Sequence, residues 1–312
     1  MKVLVTDPLA DEAMKILQEH HDVTFTNVTG NELAAIIAPY HALMIRSGTK
    51  VTKEIIARAD NLRVIGRAGI GVDNIDIQAA SDRGIKVVNS PTGATPSVAE
   101  LAIGHMISMA RHLSKADRSI RSGEWAKKQL KGTELNGKTL GLVGCGNIGQ
   151  MVARIAQVFN MQVIGYDPFI CKEDMAKDNI IKVDTLETLF QQADFISLHI
   201  PHIAQTHHII DASVLKVMKP TAYLVNCARG GVVDEDALYM ALKNGELAGA
   251  ALDVYEQEPP GRIKLMELEN VVFTPHLGAA TKEGQIRAGT VCAEQVIKVL
   301  CDDEPDFWVN RL

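Results

Sequence analysis

The sequence has little of what marks a secreted, membrane-bound or nucleic-acid-binding protein. Its five cysteines are scattered and none lies in a Cys-x-x-Cys pair, so neither a disulfide framework nor a metal site is predicted. The formal net charge of −6 leaves no excess of Lys and Arg to neutralise a phosphate backbone. No apolar run is long enough to cross a bilayer, and the N-terminal "MKVLVTDPLA" has the pattern of a first strand, not of a signal peptide. We therefore expect a cytoplasmic protein with neither a nucleic-acid nor a membrane partner.

The pattern that is present is a repeated alternation of short apolar runs with helical segments. At 312 residues the chain is long enough for two domains. Over residues 1–97, runs such as "KVLVTD" and "ALMIRS" alternate with helical patterns, which predicts βαβ units and a parallel sheet. A long helical stretch follows, with Ser97 as N-cap and Glu100 at the capping-box spacing, and ends near Gly123. A second α/β series comes after it, so we predict two Rossmann-like doubly wound parallel-sheet domains with a cleft between them.

The stretch "LGLVGCGNIGQMV", residues 140–152, places three glycines between an apolar strand and a helical stripe. Gly144 suits the tight turn, Gly146 lets the backbone approach a pyrophosphate, and Gly149 allows close packing of helix on strand. Asp167 follows the next strand, 18 residues after Gly149, where an acid accepts the ribose hydroxyls of a dinucleotide. NAD is preferred over NADP, because an aspartate repels a 2′-phosphate and no arginine directly follows it. The alternative is a packing turn in an unrelated α/β domain, with Asp167 capping a loop.

Together with further segments, the glycine fingerprint resembles the D-isomer-specific 2-hydroxyacid dehydrogenases. These segments are "RSGTKVT", "GRAGIGVDNID", "VNCARGGVVDEDAL", and "ALDVYEQEPP" with "TPHLGAATKE". They occur in the order and at the spacing of the family, and they cover almost the whole chain. In that family the coenzyme domain is inserted into the substrate domain. The resemblance therefore implies a substrate-binding domain of residues 1–97 and 285–312, and an NAD-binding Rossmann domain of residues 98–284.

The resemblance also implies three catalytic residues for hydride transfer between a 2-hydroxy acid and nicotinamide. Arg229 in "NCARGG" corresponds to the arginine that binds the substrate carboxylate and polarises the carbonyl oxygen. His276 in "TPHLGA" corresponds to the acid-base group for the hydroxyl proton, and Glu258 in "EQEP" to the carboxylate that orients it and stabilises the imidazolium. The alternatives are a capping arginine and a structural histidine. Such a structural role is assumed for four other histidines: His20, His21, His207 and His208.

Further cofactor contacts are implied by the same resemblance. Besides the glycines of the fingerprint and Asp167, it assigns NAD-binding positions to Asn147, Ile148, Ile200, Thr206, Cys227, Asp253 and Ile70. Asp253 corresponds to the contact with the nicotinamide carboxamide; the alternative is an ordinary cap at the end of a strand. Cys145 and Cys227 are expected to be small packing residues.

Four positions are expected to bind the substrate: Arg46, Arg67, Gly71 and Lys127. The glycine-rich "RAGIGVDN" can offer main-chain N–H groups near Ile70 and Gly71 to a carboxylate. Lys127 is expected on the helix between the domains. Three cations are more than one carboxylate needs, so a second anion such as a phosphate is expected on the substrate. The alternative is that one or two of these cations pair with local acids such as Asp73 or Asp76.

The resemblance implies NAD-dependent oxidation of 3-phosphoglycerate to 3-phosphohydroxypyruvate, the first step of serine synthesis. It also implies a homodimer joined through the coenzyme domain, with the 97–121 helix as candidate contact. Longer family members continue into serine-sensing regulatory domains, so feedback inhibition of that type is not expected here. Two alternatives stay open: a glyoxylate, hydroxypyruvate or D-lactate reductase of the same family, and an NAD(H)-sensing corepressor with little catalysis. The complete set of Arg229, Glu258 and His276 argues against the corepressor.

Overall fold

The computed structural model describes residues 1–311 and divides into two compact units. Unit 1 comprises Met1–Thr95 and Ala279–Leu312, and unit 2 comprises Pro96–Gly278. Leu312, the last residue of the expected substrate-binding domain, lies outside the described residues. Among the described residues, no helix combines the length and the apolar character that a membrane span requires.

Unit 1 is built on a parallel five-stranded sheet in the order β2-β1-β3-β4-β5. Its strands are β1 (Lys2–Val5), β2 (Asp22–Phe25), β3 (Ala42–Ile45), β4 (Val64–Arg67) and β5 (Lys86–Asn89). Its helices are α1 (Asp11–His20), α2 (Gly30–Ile36), α3 (Lys53–Ala57), α4 (Ile77–Asp82) and, near the C-terminus, α12 (Lys282–Leu300). Alternate residues of β3 enter two different apolar clusters, Leu43 and Ile45 one and Ala42 and Met44 the other. Both faces of the sheet are therefore covered, which explains its uninterrupted apolar strands.

Helix α12 and the segment after it lie on the sheet of unit 1. Gly66 in β4 allows the close approach, because a Cβ there would lie 2.5 Å from Val296 Cγ2. Beyond the helix, Trp308 forms an antiparallel bridge with Val88. The C-terminal part of the chain thus belongs to unit 1 from residue 279, whereas the expected boundary at residue 285 falls inside α12.

Unit 2 contains a parallel seven-stranded sheet in the order β12-β11-β10-β9-β6-β7-β8. Its strands are β6 (Thr139–Val143), β7 (Gln162–Tyr166), β8 (Ile181–Lys182), β9 (Phe195–Leu198), β10 (Tyr223–Asn226), β11 (Gly249–Leu252) and β12 (Val271–Phe273). Its helices are α5 (Thr95–Ala110), α6 (Leu113–Arg121), α7 (Asn147–Val158), α8 (Lys172–Ala176), α9 (Leu186–Gln192), α10 (Ala212–Leu215) and α11 (Glu235–Lys243), with a 3₁₀ turn at Lys264–Glu267. The strands β7 and β8 lie on one side of β6, and β9 to β12 lie on the other. The strand order therefore reverses between β6 and β9, which creates a topological switch point at their carboxyl ends. The predicted fold class is confirmed.

The long helical stretch predicted over residues 97–121 consists of two helices. Helix α5 begins two residues before the predicted cap Ser97, because the fixed φ of Pro96 suits the first turn of a helix. The predicted capping box is therefore wrong. His112, with a φ of 53° in the left-handed region, separates α5 from α6. Lys127 lies beyond α6 in an exposed turn, so its expected place on this helix is also wrong.

Candidate active site

The turn between β6 and α7 is shaped by the glycines of the fingerprint. Gly144 has a φ of 90°, and a Cβ there would lie 2.5 Å from the carbonyl oxygen of His199. Gly149 lies in the first turn of α7, where a Cβ would lie 2.3 Å from Gly144 O. A Cβ on Gly146 would meet no atom within 4 Å. Gly144 and Gly149 are therefore required by the turn itself, whereas Gly146 leaves space beside it.

This space lies at the N-terminus of α7. Gly146 is the N-cap residue and provides no side chain that could bind the first N–H groups of the helix. The helix then begins with Asn147 and Ile148, two of the predicted cofactor contacts. The first N–H groups of a helix have no partner within the helix, and together with the helix dipole they attract an anion.

Asp167 directly follows β7 and lies beside the same turn. Its carboxylate accepts hydrogen bonds from Cys145 N at 3.0 Å and from Phe169 N at 2.9 Å. The Cys145 side chain is buried, and burial raises the pKa of its thiol to about 12, so it packs and does not act as a thiolate. The open helix N-terminus and the adjacent carboxylate fit the diphosphate and the ribose of a dinucleotide.

Two further predicted cofactor residues lie on the loop after β9. Ile200 contacts the glycine turn, since its Cγ2 would lie 2.8 Å from a Cβ on Gly144. Thr206 Oγ1 donates to Pro201 O at 2.6 Å and accepts from Ile203 N at 2.9 Å. Thr206 therefore closes an exposed loop, and its contact with a cofactor stays a prediction.

His199 directly follows β9 and lies beside the glycine turn, and Cys227 directly follows β10. Burial lowers the pKa of His199 to about 4, and neither ring nitrogen has a hydrogen-bond partner in the part of the chain that the structure describes. The sequence analysis did not single this residue out. Cys227 follows β10, and burial raises the pKa of its thiol, which agrees with the expected packing role.

His276 and Glu258 form a hydrogen-bonded pair beyond β12 and β11. His276 Nδ1 lies 2.7 Å from Glu258 Oε2, and Glu258 Oε1 accepts from Tyr255 N at 3.1 Å. The two side chains are 50% and 37% exposed, so a small molecule can reach them. Because Nδ1 is hydrogen-bonded to the carboxylate, Nε2 is the ring nitrogen that can exchange a proton with a ligand.

The loop that carries His276 is held by Asp253, the fully buried residue after β11. Asp253 Oδ1 accepts from Thr274 Oγ1 at 2.5 Å and from Leu277 N at 2.7 Å, and Oδ2 accepts from Gly278 N at 2.9 Å. His276, at a φ of 52°, donates its backbone N–H to Asp253 O at 2.8 Å. These contacts are those of a residue that caps the end of a strand, the alternative role considered for Asp253. Its contact with nicotinamide stays a prediction.

Two residues that the sequence analysis missed support the same loop. His105 Nε2 lies 3.1 Å from Thr274 Oγ1, and burial lowers the pKa of His105, which keeps its ring neutral. Tyr255 OH donates to Thr274 O at 2.8 Å, and burial near Asp253 raises the pKa of Tyr255 to about 12. Tyr255 lies within the quoted "ALDVYEQEPP" segment and could have been found there, whereas no sequence signal points to His105.

Arg229 follows β10, the strand beside β11 in the sheet. Its Nη1 donates to Ala228 O at 2.7 Å, and Asn226 Nδ2 donates to its carbonyl oxygen at 2.9 Å. A Cβ on the next residue, Gly230, would lie 1.7 Å from Tyr255 O, so this segment packs directly on the one that leads to Glu258. The three predicted catalytic residues thus follow β10, β11 and β12 at one edge of the sheet, the carboxyl edge that also carries the glycine turn.

The predicted substrate-binding arginines of unit 1 lie at the carboxyl ends of two adjacent strands. Arg46 directly follows β3, and its backbone N donates to Asp7 Oδ2. Arg67 ends β4, and its guanidinium lies over Gly69, where a Cβ would meet Nη1 at 1.8 Å. Asp76, one of the acids considered as a partner of these cations, is the N-cap of α4.

The glycine-rich loop after β4 carries the other two predicted positions of this unit. Ile70 O accepts a hydrogen bond from Asn89 Nδ2 at 2.6 Å, which fixes the start of the loop beside β5. Gly71 follows and is partly exposed. Their contacts with cofactor and substrate stay predictions.

Comparisons with known proteins agree with this arrangement. Residues 103–278 match the family described as "D-isomer specific 2-hydroxyacid dehydrogenase, NAD binding domain". D-3-phosphoglycerate dehydrogenase of Methanocaldococcus jannaschii is 51% identical over 99% of this chain, which spans 59% of that relative's length. Hydroxypyruvate reductase of Thermotoga maritima is 48% identical over 96% of this chain and 98% of its own. The structure of D-lactate dehydrogenase from Aquifex aeolicus, complexed with NAD and lactic acid, is 27% identical with a TM-score of 0.85 over 97% of this chain and 96% of that one.

Proposed function

The chain belongs to the D-isomer specific 2-hydroxyacid dehydrogenases and contains their NAD binding domain, and we propose that it oxidises D-3-phosphoglycerate to 3-phosphohydroxypyruvate with NAD. The observation that carries this proposal is the pairing of His276 with Glu258 at 2.7 Å, on the sheet edge that carries the glycine turn. The relative from Methanocaldococcus jannaschii that is named for this activity supports the choice of substrate.

Each catalytic residue has one chemical task. The N-terminus of α7 and the Asp167 carboxylate would hold NAD, which would supply the hydride acceptor for the carbon that bears the substrate hydroxyl. His276 Nε2 takes the hydroxyl proton, and Glu258 stabilises the imidazolium through Nδ1. Arg229 binds the substrate carboxylate with its planar fork and polarises the carbonyl oxygen in the reverse reaction. Asp253 keeps the loop of His276 in place, so the imidazole needs little rearrangement during the reaction.

The phosphate of the substrate is the proposed ligand of Arg46 and Arg67, with Lys127 as a third cation. The support is that Arg46 follows β3 and Arg67 is the last residue of the adjacent parallel strand β4, which brings both to the carboxyl edge of this sheet. The main-chain N–H groups near Ile70 and Gly71 are proposed as donors to the substrate carboxylate in addition to Arg229.

A second candidate function is the reduction of hydroxypyruvate. It is favoured by the relative from Thermotoga maritima, which this chain matches over 98% of that protein's length. The test compares kcat/KM for D-3-phosphoglycerate, D-glycerate and D-lactate with NAD. We expect D-3-phosphoglycerate to exceed D-glycerate at least about hundredfold, since each charge-assisted hydrogen bond to the phosphate stabilises by about 1.5–3 kcal/mol. Equal or better turnover of D-glycerate supports the second function, and absence of turnover with all three supports the corepressor alternative.

We further propose a homodimer that forms through residues 97–121 and acts in the cytoplasm. Its support is a group of exposed apolar side chains on and after α6: Leu113, Ile120 and Trp125. All five cysteines are free, as expected in a reducing compartment. Light scattering should give the mass of a dimer for the wild type and the mass of a monomer for Ile120→Glu. Val158→Glu changes an exposed apolar residue outside this segment and, as the control, should stay a dimer. A monomeric wild type contradicts the proposal.

A further inference from the structure

Besides His199, the loop that follows β9 carries three further histidines, and the proposed reaction uses none of them. His202 Nε2 lies 3.1 Å from His207 Nδ1, and the rings of His207 and His208 stack with centroids 4.0 Å apart. The sequence analysis assumed structural roles for His207 and His208. The stacked pair presents His208 to two acidic side chains from other parts of unit 2.

His208 lies between these carboxylates. Its Nε2 is 3.0 Å from Glu256 Oε1, in the loop after β11, and its Nδ1 is 4.0 Å from Asp234 Oδ2, at the start of α11. One donor atom from each of the three residues lies within 4.8 Å of the other two. Three separate chain segments therefore bring two carboxylates and one imidazole, which offers a single ring nitrogen to an ion, within 4.8 Å of one another.

The negative charge at this point exceeds what the single histidine can balance. Asp234 uses Oδ1 to accept from Ala237 N at 2.9 Å as the cap of α11, and its Oδ2 faces His208. A third carboxylate adjoins, because Glu235 Oε1 accepts from Glu256 N at 2.8 Å. Burial, with Glu256 and Asp236 close by, raises the pKa of Glu235. A bound cation relieves this accumulation of negative charge.

We propose that His208, Asp234 and Glu256 form a binding site for a divalent transition-metal ion of the Zn²⁺ type. One imidazole and two carboxylates are ligands that Zn²⁺ accepts, and a water molecule completes four-fold coordination because the cluster is partly exposed. Ligands at about 2.1 Å in a tetrahedron are about 3.4 Å apart, so ligand atoms that lie within 4.8 Å of one another must approach by at most about 1.4 Å. Mg²⁺ and Ca²⁺ prefer oxygen ligands alone and fit this set less well.

Metal binding at this place joins segments next to the proposed catalytic residues. Glu256 lies two residues before Glu258. Asp234, at the start of α11, lies four residues after Gly230, and Gly230 packs on Tyr255 O. An ion held by three residues from three segments stabilises the folded form by mass action. It acts as a structural clamp on the loop of Glu258 and takes no part in hydride transfer.

The test uses the metal-free full chain and inorganic Zn²⁺, followed by calorimetric titration and thermal unfolding. We expect one Zn²⁺ per chain and a rise in the unfolding midpoint of about 3 °C or more at saturation, with no rise for Mg²⁺ at the same concentration. Three variants each replace the imidazole or one carboxylate by a neutral amide, a weaker ligand of Zn²⁺: His208→Gln, Asp234→Asn and Glu256→Gln. Asn still caps α11, and Gln still offers an oxygen to Glu235 N, so these variants are expected to fold.

Each of the three variants should weaken Zn²⁺ binding at least tenfold. His112→Gln is the matched control, because His112 lies in the same unit and bonds Lys131 O away from the cluster. The control should keep the wild-type affinity. Absence of Zn²⁺ binding by the wild type, or wild-type affinity in two of the three folded variants, overturns the proposal, since binding that persists belongs to other side chains.

Discussion

Replacing Glu258 by glutamine removes the charge that faces His276 and leaves the shape of the side chain unchanged. Glutamine keeps an oxygen that accepts from Tyr255 N, as Glu258 Oε1 does at 3.1 Å. The partner of His276 Nδ1 changes from a carboxylate at 2.7 Å to a neutral amide. The imidazolium that forms when His276 takes the substrate proton then has no opposite charge beside it. We therefore expect a lower kcat and an unchanged KM for NAD.

The size of this effect follows from the geometry and the exposure of the pair. A hydrogen bond to a charged group stabilises by about 1.5–3 kcal/mol. The His276 and Glu258 side chains are 50% and 37% exposed, so solvent screens the interaction and the lower value applies. A loss of about 1.5 kcal/mol in the transition state lowers kcat roughly tenfold.

The assay follows NADH absorbance during oxidation of D-3-phosphoglycerate at saturating NAD. Glu267→Gln serves as the control, because it removes an exposed carboxylate of the same unit. The control should keep the wild-type kcat, while Glu258→Gln falls roughly tenfold. A folded Glu258→Gln protein with a kcat within about twofold of wild type would refute the assigned role of the carboxylate charge, since that corresponds to less than about 0.5 kcal/mol.

Two further predictions concern the glycine turn and the buried carboxylate. Gly146→Ala should leave the unfolding midpoint unchanged, because the added Cβ enters open space, and should raise the KM for NAD, because that space is the proposed site of the diphosphate. Gly149→Ala should lower the unfolding midpoint, because the added Cβ would lie 2.3 Å from a backbone oxygen. Thermal unfolding and NAD titration of both variants test these two expectations. Equal unfolding midpoints for Gly146→Ala and Gly149→Ala would contradict the assigned difference between the two glycines. Asp253→Asn should lower the free energy of unfolding by about 1–3 kcal/mol, because the buried carboxylate accepts hydrogen bonds from two backbone N–H groups and a hydroxyl. Urea unfolding measures this, and a change below about 0.5 kcal/mol speaks against the role of Asp253 in holding the loop.

The features that the sequence predicts correctly depend on residues close together in the chain. The alternation of apolar runs and helical patterns is local, and so is the turn that combines Gly144, Gly146 and Gly149. The catalytic assignment needed the family resemblance, because Arg229 and His276 follow different strands and no local pattern joins them. The sheet order then places these two strands, β10 and β12, on either side of β11, the strand that Glu258 follows.

The features that the sequence did not predict depend on contacts between distant segments or on competing local preferences. His105 and Thr274 are hydrogen-bonded although 169 positions separate them, and only the folded chain brings them together. The cap at Ser97 was wrong because Pro96 starts the helix earlier. The contact of His208 with Glu256 at 3.0 Å was not predicted either, because the two residues belong to different segments.

The most direct test of the account is the effect of His276→Ala on turnover and on cofactor binding. The substitution removes the imidazole paired with Glu258 and leaves the glycine turn untouched. We expect kcat for D-3-phosphoglycerate to fall about 10²–10⁴-fold, the contribution typical of a general acid-base group, while the dissociation constant for NADH, measured by fluorescence titration, stays that of the wild type. A fall of less than about tenfold would contradict the assignment of His276 as the proton acceptor.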